Sequence, residues 1–131
     1  MRIVVDSSVI VGACLAGGDL GPLRDHDLLA PAHLAAEVTS ALREQAFRGD
    51  IPADRAVEAV GYLQSIPIAF EHPGARAGEA AQLAADLGWA KTYDADYVVL
   101  ARSMQIPLVT LDGRLRRGAA GIVNVIALVE L

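Results

Sequence analysis

Four acidic residues stand where ordinary surface charges are out of place: Asp6, Glu37, Asp94 and Asp112. Asp6 closes the β-branched run Arg2–Val5, and Asp112 closes the apolar run Leu108–Leu111, so each follows a segment that reads as a buried strand. Glu37 falls three residues after Leu34 and four before Ala41, inside the apolar stripe of a helical pattern, where an ionised carboxylate needs a partner. Asp94 opens a second helical pattern and shares its face with Tyr97, Val98 and Ala101. Taken singly, each has a plain structural role: N-cap for Asp6 and Asp112, stripe edge for Glu37, first-turn dipole partner for Asp94. Together they form an oxygen-only donor set. Two carboxylates about 5 Å apart repel by roughly 3 kcal/mol at an effective dielectric of about 20, which protons or a hard cation such as Mg²⁺ or Mn²⁺ would relieve. Asp96 lies about 200° round the helix from Asp94 and reads as rim or solvent. His26, His33 and His72 lack zinc-ligand spacing and read as surface or core histidines.

The elements that must position these acids alternate in type. Arg2–Val5 is a strand, and Ser7 or Ser8 can cap a short helix through Leu15. Gly17, Gly18, Gly21 and Pro22 mark a loop before a short strand at Leu28–Ala30. Pro31 suits a helix start, with the pattern running to Arg48 and closed by Gly49. Pro52–Ser65 reads as helix, Ile66–Phe70 as strand, Ala75–Leu87 as helix closed by Gly88, and Tyr93–Met104 as helix. Leu108–Leu111 and Ile122–Ile126 complete the strands. Short apolar strands separated by helices predict an α/β/α sandwich around a central, mainly parallel sheet. In such a sheet, ligands bind beyond the carboxyl ends of the strands, where Asp6 and Asp112 are delivered.

The 131 residues suit a single domain, 1–131. Hydrophobic residues make up 53%, with a mean hydropathy of +0.38, so apolar surface is expected to spare for an interface with a second chain. The net charge of −5 argues against a tight, passive nucleic-acid binder with a basic stripe, though not against an enzyme that touches a few phosphates beside a cation. The single cysteine, Cys14, excludes an internal disulfide and reads as a buried thiol. No apolar run is long enough for a membrane span, and the opening MRIVVDSS does not resemble a signal peptide, so the expected location is the cytoplasm.

Four segments carry a family resemblance: I-V-V-D-S-S-V at 3–9, P-A-H-L-A-A-E-V-T-S-A-L at 31–42, Y-D-A-D-Y-V-V-L-A at 93–101 and I-P-L-V-T-L-D-G-R-L at 106–115. They resemble a PIN-domain nuclease, specifically a VapC-type toxin of a toxin–antitoxin pair. The resemblance implies a PIN-like fold and a Mg²⁺- or Mn²⁺-dependent endoribonuclease. It places Asp6, Glu37 and Asp94 on the acidic metal-site positions and Asp112 on the fourth, more variable one. It further implies a homodimer and a cognate VapB-type antitoxin as partner. Thr110 matches a polar residue beside the fourth acid, while Ser40 stands where the family usually has Asn. Ser7, Ser40, Thr110, Arg114, Arg116 and Arg117 are the candidate contacts to an RNA substrate, the arginines through a flanking phosphate.

Two other α/β classes fit less well. A haloacid-dehalogenase-type phosphatase needs an Asp where Ser8 stands, and a response-regulator receiver needs a Lys late in the chain, whereas the one lysine, Lys91, precedes Asp94. A PIN fold serving only as a binding or assembly module is the non-enzymatic alternative.

Overall fold

The computed structural model describes all 131 residues. Five short strands form one sheet: β1 (Arg2–Val5), β2 (Asp27–Ala30), β3 (Ile68–Phe70), β4 (Leu108–Val109) and β5 (Val125–Ile126). Their order is β3-β2-β1-β4-β5, and every pairing is parallel. Ile3, Val4 and Val5 of β1 and both residues of β4 are inaccessible to solvent, so the middle of the sheet is covered on both faces, as its unbroken apolar runs require.

The covering helices are α1 (Ser7–Leu15), α2 (Leu34–Phe47), α3 (Ala53–Tyr62), α4 (Ala77–Leu87), α5 (Tyr93–Met104) and α6 (Gly113–Ala119). α1, α2 and α3 pack on one another, α4 packs on α5, and α5 lies along β1 and β4. Together with the sheet they form the α/β/α sandwich expected from the alternation of elements. No helix is long and apolar enough to cross a membrane. Cys14 is buried, as its apolar setting suggested.

Several boundaries differ from the sequence reading for identifiable reasons. Pro31 opens a turn, its carbonyl accepting from Leu34 N at 3.2 Å, and the helix starts only at Leu34. β4 stops at Val109 instead of Leu111 because side-chain hydroxyls take the next amides: Leu111 N donates to Ser8 Oγ and Asp112 N to Thr110 Oγ1, both at 3.0 Å. β5 is two residues long because Ile122 N and Val123 N both bond to Ala119 O and extend the turn that ends α6. The α1 cap is Asp6, not Ser7 or Ser8: Asp6 Oδ1 accepts from Val9 N at 3.3 Å. α6 itself has no signal in the periodicity, since two of its seven residues are glycine. The Asp112 cap and the packing of Leu115 and Ala119 into the core hold it in place.

One of those glycines is sterically required. A Cβ on Gly118 would lie 2.4 Å from Trp89 Cζ2, so the indole packs directly on the α6 backbone. Gly118→Ala should therefore destabilise the fold by about 1–3 kcal/mol, as overpacking does, measurable as a lower urea midpoint at unchanged slope. An unchanged midpoint would show that Trp89 moves freely.

Candidate functional site

β1 and β4 are neighbours whose chains leave in opposite directions, β1 toward β2 and β4 toward β5. That is a topological switch point, and a crevice opens beyond the strand ends there. Four helices present their N-termini around it. Asp6 is the N-cap of α1, Glu37 lies in the first turn of α2, Asp94 in the first turn of α5, and Asp112 is the N-cap of α6. The cap roles read for Asp6 and Asp112 and the first-turn role read for Asp94 therefore hold, Glu37 proves to be a first-turn acid as well because α2 starts at Leu34, and none of these roles competes with a shared function. Each helix terminus favours negative charge, so the fold offsets part of the repulsion that gathering the acids creates.

Asp6 is the most enclosed, at 4% exposure. The register that pairs Val5 with Val109 sets Thr110 beside it. Thr110 Oγ1 donates to Asp6 Oδ2 at 2.5 Å, and Ser8 Oγ donates to Oδ1 at 2.6 Å. Each hydroxyl has one proton and gives it to Asp6, while accepting an amide from the loop after β4. Burial pushes the Asp6 carboxyl above its ordinary value, the Ser8, Thr110 and Val9 hydrogen bonds hold it down in part, and the charge of Asp112 adds to the rise.

Asp112 uses Oδ1 to cap α6, accepting from Arg114 N at 2.8 Å and Leu115 N at 3.3 Å; its other oxygen has no protein donor. Half-buried Asp94 takes no hydrogen bond from the protein at all. Burial and then the Asp112 charge raise its carboxyl, with Arg114 and His33 opposing. Glu37 accepts from the phenol of buried Tyr97 at 2.5 Å and lies 3.3 Å from His33 Nε2. Burial raises it, the Tyr97 hydrogen bond and His33 lower it, and Asp94 raises it again. The Tyr97 hydroxyl is pushed far up by its burial and by Glu37. Asp6, Asp94 and Glu37 thus all sense another acid of the set.

The remaining candidates divide. Thr110 joins the acids; Ser7 does not, since its neighbour Ser8 carries the hydrogen bonds. Ser40 is exposed and donates to Glu44 Oε1 at 3.4 Å, along its own helix. Arg114 lines a cleft beside Glu37 and Asp94. Arg116 reaches Glu130 at 3.4 Å, and Arg117 folds back over Gly113, its Nη1 3.1 Å from where a Cβ there would stand. Asp96 points away from Asp94, toward His33 Nδ1 at 3.6 Å. It is partly exposed, as the rim reading has it, and burial raises its carboxyl.

His33 is the residue that sequence reasoning passed over. Its ring meets Tyr97 edge-on at 5.2 Å and sits between Glu37 and Asp96. The signal was present: His33 is four residues before Glu37, one helical turn away. Only the tertiary fold adds Asp96, Tyr93 and Tyr97.

As a test of the cation expected here, the donor chemistry fits: hard carboxylate oxygens, raised by one another, with Asp94 and one oxygen of Asp112 lacking protein donors. The side chains do not close on a point. No three His, Cys, Asp or Glu residues meet at metal-ligating spacing.

No family model matches the sequence, and no curated protein matches it. Solved structures do match the fold. PAE2754 from Pyrobaculum aerophilum aligns at TM-score 0.73 and 22% identity, over 99% of this chain and 91% of that one. VapC20 of Mycobacterium tuberculosis, a sarcin-ricin loop cleaving toxin, aligns at 0.62 and 22%, over 92% and 96%. VapBC2 from Rickettsia felis, bound to a DNA fragment from its promoter, aligns at 0.64 and 14%, over 97% and 98%. At these identities the likeness is one of fold: the chain has the architecture of PIN-domain proteins and VapC toxins.

The raised carboxyls fix a pH dependence. A carboxyl whose folded pKa lies above its unfolded one keeps its full stabilising contribution below the unfolded value of about 4 and loses it as pH rises through the folded value. Asp6, Glu37, Asp94 and Asp96 all shift this way. In chelator, their contribution to unfolding free energy should fall as pH climbs from about 4 toward neutrality. Asp94→Asn should flatten that fall and raise Tm at neutral pH. Thermal melts of both proteins across the range test this, and an Asp94→Asn protein less stable than wild type at neutral pH would contradict it.

Proposed function

We propose that this chain is a divalent-cation-dependent endoribonuclease, hydrolysing RNA phosphodiester bonds as the toxin of a VapBC-type pair. The observation that carries the reading is that four acids sit at helix N-termini around the β1–β4 crevice, with Asp94 and one Asp112 oxygen free of protein donors. Asp6, Glu37, Asp94 and Asp112 would hold Mg²⁺ or Mn²⁺. When bound, the ion lowers the pKa of a water and offsets charge on the phosphate and the departing oxygen. The protein's own part is positional. Ser8 and Thr110 keep Asp6 in one orientation, Tyr97 fixes Glu37 with a hydroxyl that stays protonated, and Arg114 supplies a cation near Asp94 for the phosphate.

The fold likeness to VapC20 and to VapBC2 supports the toxin reading and a VapB-type antitoxin as partner; the homodimer rests on the sequence resemblance alone. An apolar groove of about 480 Å³ between α2 and α3, lined by Ala56, Val57 and Val60, is the surface best suited to a partner; Val57 is 74% exposed. The alternative of a catalytically silent PIN-fold module draws on two observations: both oxygens of Asp6 are engaged, and no three ligands meet.

RNA cleavage should require Mg²⁺ or Mn²⁺ and stop in EDTA. Asp94→Asn should lower it by orders of magnitude, whereas Asp96→Asn, which loses the same charge from the same turn but faces His33, should slow it only slightly. Cleavage undiminished in chelator would end the metal reading; inactivity of Asp96→Asn alone would assign the site to the His33 side. For the partner, the product of the neighbouring reading frame should co-purify with the wild-type chain and be lost with Val57→Asp. Retention by Val57→Asp would place the interface elsewhere, and a wild-type chain that cells tolerate fully when expressed alone would count against a toxin.

A further inference from the structure

The loop that follows α4 starts at Gly88, whose φ of 71° turns the chain out of the helix. It runs past Trp89 and Lys91 to Tyr93. Between this loop and α6 lies a cleft of about 590 Å³, with Glu37 and Asp94 among its lining residues. That is room for a ligand of nucleotide size.

Three features of the walls define what would fit. Tyr93 is a large aromatic left 54% exposed. It is braced, not loose: the His33 ring leans on it at 5.4 Å and 55°, and His33 Nε2 lies 3.2 Å from its carbonyl oxygen. Lys91 and Arg114 supply positive charge, and neither is tied up in an ion pair. Trp89 is pinned against Gly118 and forms a fixed wall. A purely apolar ligand would leave the two cations and Asp94 without partners, and an inorganic anion would leave the exposed ring unused. A nucleotide uses both, its base on an aromatic face and its phosphate on the cations. A base inside a duplex cannot reach such a ring, so the strand must be single and the base splayed out.

We propose that this cleft is a nucleotide subsite, in which Tyr93 carries one unstacked base of an RNA single strand while Lys91 and Arg114 hold its phosphate beside the acids. Calling that strand a substrate rests on the nuclease reading; the binding itself does not, and can be measured without cleavage. Trp89 is the only tryptophan in the chain, so its fluorescence reports occupancy of the cleft.

The test titrates single-stranded hexa-adenylate, and separately an RNA duplex, against the wild-type protein in chelator and against Asp6→Asn in Mg²⁺. The single strand should change Trp89 emission saturably, and the duplex should bind far more weakly. Tyr93→Leu should weaken single-strand binding by about tenfold, the scale of one lost stacking contact. Lys91→Ala and Arg114→Ala should each weaken binding, and the double variant should reduce the slope of log affinity against log salt by about 0.7, the share of one phosphate. Equal affinity for Tyr93→Leu and wild type, duplex binding as tight as single-strand binding, or a silent Trp89 under both conditions would overturn the subsite. If these dependencies hold but RNA is never cut in Mg²⁺ or Mn²⁺, the nuclease reading fails and the subsite stands. If RNA is cut and Tyr93→Leu cuts it with unchanged KM, the subsite fails and the nuclease reading stands.

Discussion

The rest of the structure depends on a buried carboxylate held between two hydroxyls. Asp6 lies at the end of the central strand with almost no access to water, and it is held there by Ser8 and Thr110, residues 102 positions apart in the chain. An acid at that depth without donors would be costly. The β1–β4 register provides the donors, and the same hydroxyls accept the backbone amides of Leu111 and Asp112. One small network thereby ends β4, aims the following loop and starts α6 at its Asp112 cap. The position of the fourth acid follows from the hydrogen bonds of the first.

The other two acids depend on the core in a different way. Tyr97 is 1% exposed, its ring packed into the centre of the molecule and its hydroxyl reaching Glu37. It links α5, which carries Asp94, to α2, which carries Glu37. Four helix N-termini around one crevice make negative charge tolerable there, yet burial still raises Asp6, Glu37 and Asp94. The protein therefore holds these groups in an electrostatically unfavourable arrangement that protons or a cation would relieve.

The sequence makes the acids visible because each ends an apolar run or interrupts a helical stripe, and local pattern is all that such a reading needs. The sheet and α5 are legible for the same reason: β1 and Tyr93–Met104 lie where periodicity and breakers place them. What pattern cannot supply is pairing across the fold. Ser7 and Ser8 are alike in sequence, and only the turn into α1 decides that Ser8 faces Asp6. Ser40 occupies a promising position, but its own helix offers Glu44 one turn away. α6 is hidden because its glycines lower local helix preference while the stabilising Asp112 cap and Trp89 packing are tertiary. His33 reads as an isolated histidine until α5 places Asp96, Tyr93 and Tyr97 around it.

The central claim, that these acids form a cation centre at the β1–β4 crevice, is tested most directly by where a paramagnetic cation goes. Substoichiometric Mn²⁺ added to the ¹⁵N-labelled protein broadens amide resonances in proportion to their nearness to the ion. The account predicts selective loss of the amides around the four acids, including Val9, Leu111, Arg114 and Ala95, while those of α3 stay sharp. Broadening centred instead on a surface acid pair such as Glu44 and Asp50, or spread evenly over the acidic surface, would contradict it.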